Sequence, residues 1–211
     1  MSRPASQKEE TQRQIVAAAI RIIKARGSKA LSMRTLAREL KRSPASLYKY
    51  FPNKASILEA VREEVLKEMT AQFYESEIEN AWPLEKVRTA CRAMISYAEK
   101  EPQLYWLIYQ RLNNARPDIK AIFDTFQFQY MQKQLRIAHR HGLLNLPNGF
   151  TVELLLLQLW ACIHGVIMLR QTLMETEKVF TDASDQMLEQ MLENLENPKE
   201  LWKVPYPAFK P

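Results

Sequence analysis

Five prolines divide most of this sequence into segments of helical length. Pro44, Pro83, Pro102 and Pro117 each stand where a first-turn proline begins a helix, and Pro52 stands where a helix must end. Within the segments, apolar residues recur every three or four positions, which is the spacing of an amphipathic helix. Only 4 of the 211 residues are glycine. The sequence therefore predicts an all-α protein of about nine helices.

The positive charge lies at one end of the chain. Residues 1–60 contain 13 Lys or Arg against 4 Asp or Glu, whereas the remaining residues contain 17 against 20. Such a distribution is typical of a module that binds a polyanion, joined to a second part with another task. A solvated basic helix surface is the alternative interpretation of the same charges.

Residues 32–51 have the form of two short helices joined by a tight turn. Ser32 is placed to cap the first, and Ser43-Pro44 forms an N-cap followed by a first-turn proline for the second, which reaches Phe51 in about two turns. At about 100° per residue, Leu47 and Phe51 point inward while Ala45, Ser46 and Lys49 point outward. A major groove about 12 Å wide accepts one such helix, so this segment suits base and phosphate contacts.

A long fourth helix follows, with Asn53 as its cap and Lys54 in its first turn. A cation there opposes the helix dipole, and a bound phosphate would reverse that penalty. An ordinary exposed lysine is the alternative.

The motif Leu47-Tyr48-Lys49-Tyr50-Phe51, preceded by Leu36-Ala37 and followed by Asn53-Lys54, resembles the DNA-binding domain of the TetR family. The resemblance covers roughly residues 12–61. It implies a three-helix helix-turn-helix domain over residues 1–61, a double-stranded DNA operator as partner, and a cytoplasmic transcriptional repressor. The turn departs from the family's usual Gly-Val, because Lys41-Arg42 stands there and places a lysine at an expected positive φ. The predicted DNA-binding residues are Arg34, Thr35, Arg42, Ser43, Pro44, Ala45, Ser46, Tyr48, Lys49, Tyr50 and Lys54.

Residues 62–211 are predicted to form a larger helical bundle for ligand binding and dimerisation. Trp160, His164 and Gly165 are similar to a Trp-x-x-x-His-Gly sequence in helix eight of one TetR subgroup. The resemblance implies a small-molecule effector and a homodimer through helices eight and nine, the ninth beginning near Asp182. The predicted effector-binding residues are Tyr97, Trp106, Tyr109, Phe126, Tyr130, Trp160 and His164. For each one alone, a packed core position is the alternative.

An enzyme or a small-molecule carrier with an incidental basic surface is the competing functional class. The sequence contains no HExxH, GxSxG or glycine-rich phosphate loop, and His139 and His141 lie about 200° apart on a helix, so neither a catalytic site nor a metal or other cofactor is expected. A third possibility is a DNA binder that does not distinguish sequences.

The sequence favours a cytoplasmic location. No apolar leader follows Met1, and Cys91 and Cys162 lie far apart in apolar helical surroundings, as expected of reduced thiols. The apolar run 154–169 has 16 residues, fewer than the roughly 20 that a bilayer needs, so it is predicted to be a buried helix and not a membrane span.

Overall fold

The computed structural model describes residues 3–76, 81–109, 124–146 and 149–173, with residues 186, 189, 190 and 193. This part of the chain consists of helices and their connections, which confirms the all-α prediction. The helices, in chain order, are α1 Arg3–Arg26, α2 Met33–Glu39, α3 Pro44–Leu47, α4 Lys54–Ser76, α5 Pro83–Lys100, α6 Pro102–Tyr109, α7 Phe126–Arg140 and α8 Val152–Leu173, with a 3₁₀ turn at Ser28–Ala30.

Three of the four first-turn prolines begin helices as predicted, at Pro44, Pro83 and Pro102. Pro117 and the apolar residues predicted beside it lie outside the described residues. So does most of the predicted ninth helix, of which residues 186, 189, 190 and 193 are described and are helical.

The described residues group into two compact units. The first unit falls within residues 1–72 and 97–122, and the second within residues 73–96 and 123–211. The predicted boundary at residue 61 stays a prediction.

The core of the first unit is built around α1, which contacts α2, α6 and the 3₁₀ turn. Its apolar stripe appears as the sequence predicts, with Ile15, Ala18 and Ile23 fully buried. Leu36 of α2 and Leu47 of α3 are fully buried as well. Burying a leucine or isoleucine side chain stabilises the fold by about 1.5–3 kcal/mol. The buried core of this unit therefore holds the short helices α2 and α3 in place.

In the second unit, α7 and α8 pack together. Leu135 and Ala138 of α7 and Ile163 and Val166 of α8 are fully buried. Arg136 Nη2 donates to Glu153 Oε1 at 2.6 Å, and this bond lowers the pKa of the Glu153 carboxyl.

Helix α8 is 22 residues long, so it extends beyond the 16-residue apolar run. Its stretch Val152–Thr172 is long and apolar enough to cross a membrane by length and composition alone. The length argument made from the sequence therefore does not hold for the whole helix. A core helix of a soluble protein passes the same test, so this finding is weak evidence for a membrane.

Both cysteines are free thiols. Burial raises the pKa of Cys91 to about 12, which keeps that thiol protonated and unreactive at neutral pH.

Candidate nucleic-acid interface

The N-terminus of α2 is held by a reciprocal capping box. Thr35 N donates to Ser32 Oγ at 3.1 Å, and Ser32 N donates to Thr35 Oγ1 at 2.8 Å. Thr35 Oγ1 also lies 3.1 Å from the Ala30 carbonyl oxygen. The Ser32 cap is thus confirmed, and the Thr35 hydroxyl is engaged within the protein.

The turn between α2 and α3 is a Schellman motif. Arg42 N donates to Ala37 O at 2.9 Å and Lys41 N donates to Arg38 O at 3.2 Å. Lys41 has φ of 52°, as the sequence predicts for this position, where glycine is usually preferred. The left-handed residue turns the chain sharply, so α3 starts directly beside the end of α2.

Helix α3 is capped as predicted but is shorter than predicted. Ser46 N donates to Ser43 Oγ at 3.3 Å, and Pro44 occupies the first turn. The regular helix ends at Leu47 and not at Phe51, although Phe51 N still donates to Leu47 O at 3.0 Å. The buried Leu47 side chain anchors this single turn to the core of the first unit.

The outward face of this segment is exposed and basic. Ala45 and Lys49 are exposed, Tyr48 is 54 % exposed, and Arg34 and Arg42 are exposed beside them. No carboxylate forms an ion pair with these three cations in the described part of the chain. Unneutralised cations around a short, braced helix form the arrangement that a DNA backbone attracts.

Lys54 is held partly within the protein. Its ammonium donates to Ser28 O at 2.8 Å, and burial lowers its pKa. This bond satisfies the cation that begins α4, while Asn53 Oδ1 caps the helix by accepting from Ser56 N at 2.9 Å. An ammonium group has three N–H donors, so a phosphate contact remains available to Lys54.

Comparison with known families decides what kind of protein carries this interface. The model described as "Bacterial regulatory proteins, tetR family" matches residues 15–61, and the model described as "Tetracyclin repressor-like, C-terminal domain" matches residues 87–195. The second match alone covers more than half of the 211 residues. The chain belongs to the TetR family. It is therefore a DNA-binding transcriptional regulator, from a family whose members bind operators, act as dimers and bind small molecules.

Solved structures share the fold of this TetR-family chain at low sequence identity. A protein of unknown function from Rhodococcus sp. RHA1 is 19 % identical, with TM-score 0.68 and coverage of 88 % of this chain and 95 % of that one. The regulator FadR from Bacillus subtilis, in complex with stearoyl-CoA, is 18 % identical, with TM-score 0.65 and coverage of 87 % and 96 %. A TetR variant from Acinetobacter baumannii AYE, in complex with minocycline, is 19 % identical, with TM-score 0.57 and coverage of 91 % and 97 %. No curated protein sequence matches this one.

The predicted effector residues do not all lie in one unit. Tyr97, Trp106 and Tyr109 belong to the first unit. Tyr97 is 1 % exposed, its hydroxyl lies 3.5 Å from Glu68 Oε2, and burial raises its pKa. Tyr109 lies against Tyr105, with ring centroids 5.0 Å apart. Tyr97 thus has the burial of a core residue.

The other four predicted effector residues belong to the second unit and form two groups on α7 and α8. Phe126 and Tyr130 surround Phe73, at centroid distances of 5.8 and 4.6 Å. Trp160 and His164 stack at 5.4 Å and 28°, which confirms that they share one face of α8. Burial lowers the pKa of His164.

Phe128 shows that the two groups lie on different sides of α7. It packs against Trp160 at a centroid distance of 6.2 Å, and it projects about 200° around α7 from Phe126. The two aromatic groups therefore contact opposite sides of α7.

Three glutamines were not among the residues predicted from the sequence. Gln127 and Gln134 of α7 are 4 % and 8 % exposed, and Gln158 Oε1 of α8 is buried without a hydrogen-bond partner in the described part of the chain. A buried amide oxygen is costly unless it is paired, so Gln158 is a candidate for a polar contact to a ligand. Gln127 and Gln134 are seven positions apart, within the buried stripe of α7, and that spacing was the available signal.

Proposed function

We propose that this protein is a dimeric repressor that binds a palindromic operator and releases it when a small molecule binds the second unit. The observation that carries the proposal is the exposed surface around α3. There, Arg34 of α2, Arg42 of the turn and Lys49 after α3 lack carboxylate partners among the described residues. Operator recognition by a short helix in the major groove uses this kind of surface.

The contacts to DNA divide by chemistry. Lys49 and Ser46 project from α3 and its end toward base edges, while Ala45 lets the helix approach closely. The exposed residues Tyr48 and Arg42 are suited to phosphate oxygens. Thr35 and Ser43 act mainly by holding the helix starts, because their hydroxyl groups are engaged there. Arg34, Pro44, Tyr50 and Lys54 complete the proposed interface.

The dimer is proposed to form through α8 and the ninth helix. Leu154, Leu157 and Leu169 of α8 are 44 %, 36 % and 43 % exposed, which is unusual for large apolar side chains on a helix packed into a core. A second copy related by a two-fold axis would cover them and would place two recognition helices for two half-sites. The same contact explains the apolar character of α8 in a cytoplasmic protein.

The effector is proposed to bind the second unit near Trp160 and His164. An indole offers an apolar wall and one N–H donor, and an imidazole that burial keeps neutral offers one donor and one acceptor. FadR in complex with stearoyl-CoA and the TetR variant in complex with minocycline support a small molecule as the class of effector. Release requires that the effector bind better to the form of the dimer that fits DNA poorly.

The test is a selection from random-sequence duplex DNA, followed by a screen for compounds that dissociate the selected complex. We expect enrichment of one palindromic sequence and release by a defined small molecule. A carrier or enzyme with an incidental basic surface would enrich no sequence, and a binder indifferent to sequence would retain all duplexes equally. Either result would overturn the proposal.

A further inference from the structure

A concave basic surface lies beside the helix-turn-helix motif, and it includes residues of α1. It is a cleft of about 510 Å³ within the first unit. Three of its residues come from the first turns of α1, one from the turn between α2 and α3, and two from the segment after α3. They are Gln7, Lys8, Thr11, Arg42, Lys49 and Tyr50.

One hydrogen bond joins α1 to the segment that follows α3. Gln12 Nε2 donates to Tyr50 O at 3.4 Å across 38 residues of sequence. Thr11 is 7 % exposed, and its hydroxyl donates to Gln7 O at 3.0 Å. Because α1 is joined to this segment, Lys8 lines the same cleft as Arg42 and Lys49.

The two clefts beside α1 differ in charge. No carboxylate lines the basic cleft, and none pairs with Lys8, Arg42 or Lys49 among the described residues. A second cleft, of about 770 Å³ between α1 and α4, contains four carboxylates and two cations. Those charged residues are Glu9, Arg13, Glu63, Glu64, Lys67 and Glu68.

We propose that the basic cleft binds a phosphate of the operator backbone, with Lys8 of α1 as a contact outside the helix-turn-helix motif. This inference rests on the proposed function and extends its DNA interface. Three cations around a concave surface raise the local positive potential above that of an isolated lysine. Lys8 and Arg42 donate to phosphate oxygens, and the acidic cleft on the other side of α1 faces away from the DNA. A phosphate contact adds affinity for any sequence and carries no base preference.

The experiment compares Lys8→Ala with Arg13→Ala by fluorescence anisotropy. The probe is a fluorescein-labelled duplex that the wild-type protein selects from random-sequence DNA, and a scrambled duplex serves for non-specific binding. Both variants remove one exposed cation from α1, but Arg13 lies in the acidic cleft, where Glu10 pairs with it at 3.4 Å. Equal thermal unfolding of the three proteins shows that they are folded.

A plot of log K against log salt concentration has a negative slope, about 0.9 steeper for each phosphate contact. We expect Lys8→Ala to make this slope shallower by about 0.9 for each half-site. If the variants converge near 1 M salt, this change corresponds to roughly an eightfold weaker affinity per half-site at 0.1 M. The loss should be equal on both duplexes, and Arg13→Ala should leave slope and affinity unchanged. An unaltered slope for Lys8→Ala would overturn the proposal, as would an equal loss for Arg13→Ala or a loss confined to the selected duplex. If the wild-type protein selects no duplex, the proposed function itself fails.

Discussion

Residues 32–51 of the first unit, which include α3, and helix α8 of the second unit expose opposite kinds of side chain. Around α3 the exposed residues include Arg42 and Lys49, cations without carboxylate partners among the described residues, beside a fully buried Leu47. On α8 the exposed large residues are leucines, Leu154, Leu157 and Leu169. Exposed charge costs the folded protein little, whereas exposed leucine surface favours association. We therefore propose DNA as the partner of the first surface and a second copy of this chain as the partner of the second.

The largest effect is expected from a charge in the leucine surface. Leu157→Glu should yield monomers and weaken operator binding by about 10²-fold or more, because a monomer loses the effective concentration that links two half-sites. Analytical ultracentrifugation and operator titration measure both results. Leu143→Glu is the matched control, since Leu143 is also 36 % exposed but lies in the loop after α7. An intact Leu157→Glu dimer would place the protein interface elsewhere.

Removing a cation from the basic surface should have a smaller effect. Lys49→Ala should weaken operator binding by about 1–3 kcal/mol without altering the dimer, since one contact per protomer is lost. Lys133→Ala, which removes an exposed cation from α7, should leave binding unchanged. Equal losses in the two variants would mean that net charge alone attracts the DNA.

The turns that end α2 and α7 allow lysine and glycine to be exchanged at equivalent positions, with the stability of the protein as the measured quantity. Both are Schellman motifs, with Lys41 at φ 52° in one and Gly142 at φ 69° in the other. Lys41→Gly should raise the free energy of unfolding by about 1 kcal/mol, and Gly142→Lys should lower it by a similar amount, because a Cβ strains the left-handed conformation. No heavy atom lies within 4 Å of a Cβ added at Gly142, so only the backbone is strained. Urea denaturation measures both changes, and a loss of stability in Lys41→Gly would contradict this account.

The smallest expected effect is the pH dependence that His164 contributes. Burial lowers its folded-state pKa below the usual 6.5, so its contribution to stability is full above pH 6.5 and falls as the pH decreases, when the unfolded chain binds the proton more readily. His164→Gln should therefore reduce the loss of unfolding free energy between pH 7.5 and 5.5. His141→Gln, at an exposed position, should preserve that loss. If the free energy of unfolding depended on pH in the same way in wild type and His164→Gln, His164 would not contribute to the pH dependence of stability.

Local features of the interface could be predicted from the sequence because they depend on neighbouring residues. The caps at Ser32, Ser43 and Asn53 and the positive φ of Lys41 follow from short-range backbone chemistry and are confirmed. The sequence could not show that Lys54 reaches the Ser28 carbonyl, 26 positions away.

The predicted effector site could be derived only in part. Helical spacing correctly places Trp160 beside His164. It does not reveal that Tyr97 is buried in the first unit, or that Phe126 and Phe128 contact different aromatic partners, because those facts depend on which helices pack together.

Hydrogen exchange of the wild-type protein with and without the selected duplex tests most directly whether DNA and the second protomer bind different surfaces. We predict that DNA slows amide exchange in residues 32–54 and at the start of α1. Helix α8 should exchange at the same rate in both samples, because its leucine surface is already covered in the free dimer. Protection of α7 or α8 by DNA, with no change in residues 32–54, would contradict it.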